Sequence, residues 1–297
     1  MSSDLARIDL GAEPSPGRGS CRSIVSAARP LATGCAQPIV LVAVLLAAFW
    51  PVWRWYVARM SDGSDDPLGV FALLTAAAFL PRTGWRTPVA PGAALGATLC
   101  LAAYVAGFDH LPALGRAILA VLAIALVLPR DPVRPFLPRA ALLLLSLPVI
   151  ATLQFYLGYP LRAATTWCAA GVLTLGGLPV SAHGTVLAWA GEEILVDAPC
   201  SGIRMLWTTS YLSATLALLH RLPTRAFLRL AQVTAGAVFV ANLTRTLVLF
   251  QFETGRWPNP PWAHEGAGLA LFIVAATLCA WTARRLRRAT SAASQRA

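Results

Sequence analysis

The feature that most constrains this chain is a recurring run of apolar residues about as long as a lipid bilayer is thick. A helix needs about 20 consecutive apolar residues to cross ~30 Å of hydrocarbon, and such runs recur along the 297 residues. Only 12% of the residues are charged, whereas a soluble domain has roughly a quarter. These observations indicate an integral membrane protein and argue against a soluble domain.

The apolar runs predict an all-α polytopic membrane protein with about eight transmembrane helices. Hydrocarbon offers backbone groups no hydrogen-bond partners, so a helix is the expected form of each run. The predicted spans cover 33–53, 67–81, 89–107, 111–129, 139–158, 201–219, 228–252 and 264–282. They form one transmembrane domain, 31–283, between a flexible cytoplasmic tail, 1–30, and a basic cytoplasmic tail, 284–297.

One long outer connection precedes the sixth span. Residues 161–177 are expected to form a short helix in the membrane interface. From Val180 to Val196, β-branched residues surround His183-Gly184 and Gly191-Glu192, which predicts a short β-hairpin. We therefore expect an extracytoplasmic insertion of an interfacial helix and a hairpin.

The placement of arginine predicts the orientation. With both termini cytoplasmic, seventeen arginines fall on the inner side and four, Arg54, Arg59, Arg162 and Arg256, on the outer side. This asymmetry follows the positive-inside rule and predicts a multi-pass protein of the cytoplasmic (inner) membrane. The net charge of +11 is thus assigned to topology and not to nucleic-acid binding.

Cys200 stands at the outer end of the sixth predicted span, in Asp197-Ala198-Pro199-Cys200-Ser201-Gly202-Ile203-Arg204. Asp197 suits an N-cap and Pro199 a first helical turn. Cys200 would then lie at the positive end of the helix dipole, which favours the reactive thiolate. Ser201 and Gly202 leave room for a substrate backbone, while the alternative interpretation of Cys200 is an inert core cysteine.

Arg245 lies in the mostly apolar seventh span, where a charge is costly and usually faces a polar cavity. Asn242, three residues earlier, shares its helix face. The guanidinium could stabilise an oxyanion if Cys200 attacks a carbonyl. The alternatives are an arginine that snorkels to the interface or a structural pair with Glu253 or Asp197.

His264 opens the last span, where a neutral imidazole could take a proton from the thiol and give it to a leaving amine. Its neighbour Glu265 could orient the ring. Arg204, one turn beyond Cys200 on the expected helix, could bind a substrate carboxylate. The alternative for His264 is a polar residue at the membrane boundary.

Several other classes of site find no support in the sequence. There is no Walker loop, GxGxxG, HExxH or GxSxG arrangement. The six cysteines show neither CxxC pairs nor the spacing of metal ligands. We therefore expect no metal and no organic cofactor.

The combination of Cys200-Ser201-Gly202-Ile203-Arg204, Asn242-Leu243-Thr244-Arg245 and His264-Glu265 resembles the exosortase/archaeosortase family over roughly 140–282. The resemblance implies a membrane cysteine protease-transpeptidase with Cys200 as nucleophile, Arg245 as stabilising arginine and His264 as base. Its partners would be exported proteins with a C-terminal sorting signal, made of a short motif, a transmembrane helix and a basic tail. Whether the acceptor is an amine or a lipid is left open.

Two rival functions are considered beside the enzyme. In a polytopic transporter, Arg245 would bind an anionic solute, but that class often shows inverted repeats or paired half-helices, which the sequence does not display. In a non-catalytic assembly factor, the same fold would persist without thiol chemistry.

Overall fold

A computed structural model describes residues 37–63, 67–131, 134–196 and 201–294. Within these ranges the chain is mainly helical, with one small sheet between the seventh and eighth helices. The helices are α1 (Pro38–Ala48), α2 (Trp50–Ser61), α3 (Gly69–Ala78), α4 (Pro91–Ala106), α5 (Ala113–Val127), α6 (Phe136–Leu145), α7 (Ile150–Leu175), α8 (Ile203–Leu219), α9 (Thr224–Glu253) and α10 (Ala263–Ser294). The strands are β1 (Ser181–His183), β2 (Val186–Trp189) and β3 (Glu192–Leu195).

Two of these helices, α9 and α10, are long and apolar enough to cross a membrane, and the bent pairs α1–α2 and α6–α7 raise the number to four. Helices α3, α4 and α5 are apolar but shorter, at 10, 16 and 15 residues. Leu269, Ile273 and Val274 of α10 are exposed, as expected of a face that contacts lipid. The protein is thus a helical membrane protein, and the count of eight spans stays a prediction.

Prolines divide two of the predicted spans. The first span, 33–53, breaks at Phe49, where α1 and α2 meet at a bend of 68° and Pro51 lies in the first turn of α2. The fifth span, 139–158, breaks around Pro148, where α6 and α7 meet at 94°. Proline has no amide hydrogen and disfavours helical geometry in the residue before it. A continuous helix was therefore wrong for both spans.

The interfacial helix expected at 161–177 is not a separate element. Helix α7 is continuous from Ile150 to Leu175 and joins the second part of the predicted fifth span to the predicted interfacial segment. Pro160 lies inside this helix. A bundle can tolerate such a proline because neighbouring groups satisfy the freed backbone.

The predicted β-structure is present between Val180 and Val196, with one strand more than a hairpin. The order β1-β2-β3 is an antiparallel meander, with Ser181 opposite Ala188 and Val186 opposite Leu195. The second turn has positive φ at both Ala190 (53°) and Gly191 (83°), as tight turns matching strand twist require. The third strand, β3, delivers the chain towards residue 197.

Polar contacts hold α8, α9 and α10 together in their buried middle. Ser213 Oγ of α8 lies 3.0 Å from Thr234 Oγ1 of α9 and 3.2 Å from Cys279 Sγ of α10. Cys279 is thus a buried core cysteine, as its position in an apolar run predicts. Hydrogen bonds of this kind stabilise helix packing in membranes, and here they set the relative heights of three helices that reach the candidate site.

Candidate active site

Asn242 fixes the rotation of α9 at the site. Its side chain is 3% exposed, and its Nδ2 donates a hydrogen bond of 3.3 Å to Oγ1 of Thr165 in α7. A buried amide is costly unless it is hydrogen-bonded, so this contact favours one helix rotation. The rotation also sets the direction of Arg245, which lies three residues later on the same face.

Arg245 extends from α9 to the start of α10. Its Nη2 donates to the backbone oxygen of His264 at 3.3 Å. A Cβ added to Gly268 would lie 3.4 Å from the Arg245 Cζ, so the guanidinium lies against bare backbone of α10. The structure therefore brings Arg245 and His264, two of the three predicted catalytic residues, together. The contact joins the Arg245 side chain to the His264 main-chain oxygen.

The imidazole of His264 is held by a carboxylate other than the predicted one. Its Nε2 lies 2.7 Å from Oε1 of Glu253, the last residue of α9. Glu265, the neighbour expected to orient the ring, lies in the first turn of α10 and is exposed. Glu253 thus occupies the position that the sequence assigned to Glu265, and it pairs with His264 and not with Arg245.

The predicted nucleophile, Cys200, lies outside the described residues together with Asp197, Ala198 and Pro199, but the segment that follows is described. Ser201 Oγ donates to Oε1 of Gln154 in α7 at 2.8 Å. Gly202 has a φ of +74°, and a Cβ on it would lie 3.2 Å from Cγ of Asn242. The chain after Cys200 is therefore packed directly on the residue that orients Arg245.

Helix α8 begins later than predicted. Its first residue is Ile203 and its N-cap is Gly202 in left-handed geometry, whereas the predicted N-cap Asp197 and first-turn Pro199 lie outside the described residues. The helical spacing expected between Cys200 and Arg204 involves a residue outside the described part of the chain and stays a prediction. Arg204 itself is exposed in the first turn of α8.

A cleft of about 330 Å³ adjoins these residues. One wall is β3 with Val196, and the opposite wall is one face of α9. Arg245, Glu253 and His264 line it together with Glu192 and Glu193. Polar and apolar side chains share its lining about equally, and its volume falls within the usual range of ligand sites.

Arg162 of α7 connects the cleft wall to the helical bundle. Its Nη1 donates to the backbone oxygen of Val196 at 3.5 Å, and its Nε donates to the oxygen of Gly158 at 3.2 Å. Val196 is the last described residue before the segment that holds Cys200. Arg162 was counted from the sequence as an outer topological charge, and the structure gives it a positioning contact as well.

Sequence reasoning missed four residues that shape the site: Gln154, Thr165, Glu253 and Gly268. Glu253 could have been recognised as a partner of His264, since it is an acidic residue eleven positions earlier. The sequence suggested instead that it pairs with Arg245. Gln154 and Thr165 carry a weaker one, as polar residues within apolar stretches. Nothing in the sequence singles out Gly268, because its role depends on the neighbouring helix.

The described residues offer an arginine, an imidazole and a carboxylate around one cleft. That set can stabilise negative charge and move a proton. Within the described part of the chain, no three His, Cys, Asp or Glu residues are grouped so that they could hold a metal ion.

Comparison with known proteins gives one match. The family model described as transmembrane exosortase matches residues 36–281. No curated protein and no solved structure matches the chain. The matched range includes every predicted site residue and extends well upstream of the 140–282 stretch that carries the resemblance in the sequence.

Proposed function

The chain belongs to the transmembrane exosortase family, and this membership supports a broad role as a membrane transpeptidase or protease. We propose that the protein cleaves the C-terminal sorting signal of exported proteins. In this proposal Cys200 is the nucleophile, Arg245 stabilises the oxyanion and His264 transfers protons. Cleavage leaves the exported protein bound to Cys200 as a thioester. Its acyl group is then transferred to an amine acceptor or to water.

One observation carries the proposal: α8, α9 and α10 bring the segment after Cys200, Arg245 and His264 to the same end of the bundle. Gly202 packs on Asn242, and Arg245 donates to the His264 backbone oxygen at 3.3 Å. Cys200 is two residues before Gly202 in the chain. Covalent connectivity therefore ties the thiol to the segment that contacts the arginine's helix.

The first chemical step forms a C–S bond between the Cys200 thiolate and the scissile carbonyl carbon. The carbonyl oxygen becomes an oxyanion, which the Arg245 guanidinium stabilises. The C–N bond then breaks, and His264 gives the leaving amine the proton that the thiol released. Glu253 orients the His264 ring through its contact with Nε2 and stabilises the imidazolium. Because Nε2 is engaged by Glu253, the proton is exchanged at Nδ1.

The second step resolves the thioester. An amine or a water molecule attacks the same carbonyl carbon, the C–S bond breaks and the Cys200 thiolate is restored. His264 accepts the proton of the incoming nucleophile, so proton and charge balance over the cycle. The substrate's hydrophobic helix would lie in the bilayer beside the bundle, which places its scissile bond at the outer leaflet.

The transporter remains the rival function, and a thiol variant separates the two. Cys200→Ser should abolish processing of an exported protein that ends in a short motif, one hydrophobic helix and an arginine cluster. Cys168→Ser is the matched control, since Cys168 is an exposed free cysteine of α7. Processing is followed by the loss of the substrate's C-terminal mass.

A trapping experiment distinguishes the enzyme from a non-catalytic assembly factor. Incubation with substrate should give a covalent adduct on Cys200 that hydroxylamine releases, because thioesters react with that nucleophile. Full processing by Cys200→Ser, or an adduct on another residue, would contradict the proposal.

A further inference from the structure

At the end of the bundle opposite the active site, a groove of about 470 Å³ lies between α8 and α10. It is lined by His220, Arg284, Arg287, Arg288, Ser291 and Ala292. His220 is the C-cap of α8, and the other five residues come from the last turns of α10. The described lining contains three guanidinium groups and no carboxylate.

The spacing of these residues shows that the groove is a specific face of α10. Arg284, Arg287, Arg288 and Ser291 follow the i, i+3, i+4, i+7 pattern that places side chains along one side of a helix. Arg285 is on a different side, because its Cζ stacks over the Trp281 ring at 3.8 Å. The basic cluster is thus divided between a groove and a tryptophan contact.

The groove lies at the depth of lipid headgroups. Exposed Trp262, directly before α10, and exposed Trp281 within it are nineteen positions apart, and a helical rise of about 1.5 Å per residue separates them by about 28 Å. Tryptophans gather at the two interfaces of a hydrocarbon core about 30 Å thick. Arg284 and Arg287 follow Trp281 by three and six residues, about 5 to 9 Å further along the helix.

The charged side chains that line the groove within the described part of the chain are all positive. Burial lowers the pKa of His220, and the charges of Arg287 and Arg284 lower it further. The imidazole therefore senses the positive potential of both guanidiniums. An anion held among these residues would relieve their mutual repulsion.

We propose that this groove is a binding site for the phosphodiester headgroup of an anionic phospholipid. Arg284, Arg287 and Arg288 would bind the phosphate oxygens, since guanidinium groups match phosphate geometry, and the Ser291 hydroxyl would donate to the headgroup. Basic pockets between membrane helices recognise anionic lipids in this way. A basic tail of a protein substrate does not fit here, because its charge has the same sign.

The site is tested on the purified full chain in detergent by titration with phosphatidylglycerol and, separately, with phosphatidylcholine of the same acyl chains. Native mass spectrometry counts the bound lipids. We expect one phosphatidylglycerol retained in preference to phosphatidylcholine. Arg284→Gln and Arg287→Gln should each weaken its binding about fivefold, the effect of one basic residue near an anionic headgroup.

Arg285→Gln is the control, because it removes the same charge from the same turns of α10 outside the groove. Its lipid affinity should stay within about twofold of the unmodified protein. Equal losses in all three variants would show only general attraction to a basic helix end and would overturn the site. Equal displacement of the lipid by inorganic phosphate at matched concentration would assign the groove to a soluble anion and refute the lipid.

Arg287→Lys distinguishes a loss of lipid contacts from a loss of lipid binding caused by misfolding. It keeps the charge but not the planar fork, so we expect lipid binding intermediate between that of Arg287→Gln and that of the unmodified protein. Unchanged thermal unfolding of lipid-free Arg287→Gln and Arg287→Lys confirms that both are folded.

Discussion

Arg245 is the residue on which the proposed chemistry depends most. It lies on the Gly268 backbone and donates to the His264 carbonyl oxygen, so its fork has a defined plane beside the cleft. A planar guanidinium can present two donors to one oxyanion, whereas an ammonium is a point charge.

Arg245→Lys should therefore reduce substrate processing on the order of 100-fold, the usual loss when one oxyanion donor is removed. The chain should remain folded, since lysine keeps the charge and most of the side-chain length. The measurement is the single-turnover cleavage rate with thermal unfolding in parallel. Near-normal cleavage would remove Arg245 from the mechanism.

The two glutamates near His264 permit a direct comparison. Glu253 Oε1 contacts His264 Nε2 at 2.7 Å, whereas Glu265 is adjacent only in sequence. Both are exposed, so neither substitution should unfold the chain.

Glu253→Gln should lower cleavage on the order of tenfold, because proton transfer loses part of its orientation and charge stabilisation. Glu265→Gln, the matched control, should stay within about twofold. The kinetic constants separate a positioning role from a structural one, since Glu253→Gln should lower kcat with little change in KM. The reverse ranking of the two variants would reinstate Glu265 as the orienting residue.

At the level of elements, the junction between the sheet and α8 positions the segment that follows Cys200 against α9. Gly202 is the N-cap of α8 in left-handed geometry and packs on Asn242. Gly177, after α7, has a similar φ of +85° but nothing within 4 Å of an added Cβ. Substitution at Gly177 therefore tests the effect of backbone strain alone, whereas substitution at Gly202 tests strain together with contact with α9.

Gly202→Ala and Gly177→Ala should each cost about 1–2 kcal/mol of stability, the penalty for a side chain in left-handed geometry. Gly202→Ala should in addition lower cleavage, because its Cβ would displace Asn242 and with it Arg245. Thermal unfolding and cleavage are measured on both variants. Equal cleavage by the two would mean that the Gly202–Asn242 contact does not position the site.

For the whole molecule, α9 and α10 define two ends. They are antiparallel neighbours, so Glu253 and His264 lie at one end and the starts of α9 and the last turns of α10 lie at the other. The second end carries Arg221, Arg225, Arg229, Arg284, Arg285, Arg287 and Arg288, while the turn at the active-site end carries Arg256. Such asymmetry favours a cytoplasmic position for the basic end.

Single cysteines introduced at Gly184 and at Ser291, on a chain whose own cysteines are replaced, test this orientation. A membrane-impermeant maleimide should label the Gly184 position in intact cells. It should label the Ser291 position only after permeabilisation. The opposite pattern would invert the topology and place the active site in the cytoplasm.

Sequence reasoning was accurate where the information is local. Low charge and apolar runs indicated a helical membrane protein, the residue motifs indicated the family that the family model shows, and turn residues indicated the β-structure before α8. It failed at proline-containing junctions, because a proline inside an apolar run is compatible with either a kink or a break. Packing against neighbouring helices selects between them, so Pro148 lies in the break between α6 and α7 while Pro160 lies within α7.

The sequence by itself determined the environment of this protein and the types of residue at its site, because hydropathy and charge act on each segment separately. Only the tertiary structure decided which groups meet: Glu253 with His264, Arg245 with Gly268, and Gly202 with Asn242. These contacts join residues from different helices, and their existence depends on helix rotation and height. Such quantities arise from the packing of the whole bundle, and no single stretch of sequence encodes them.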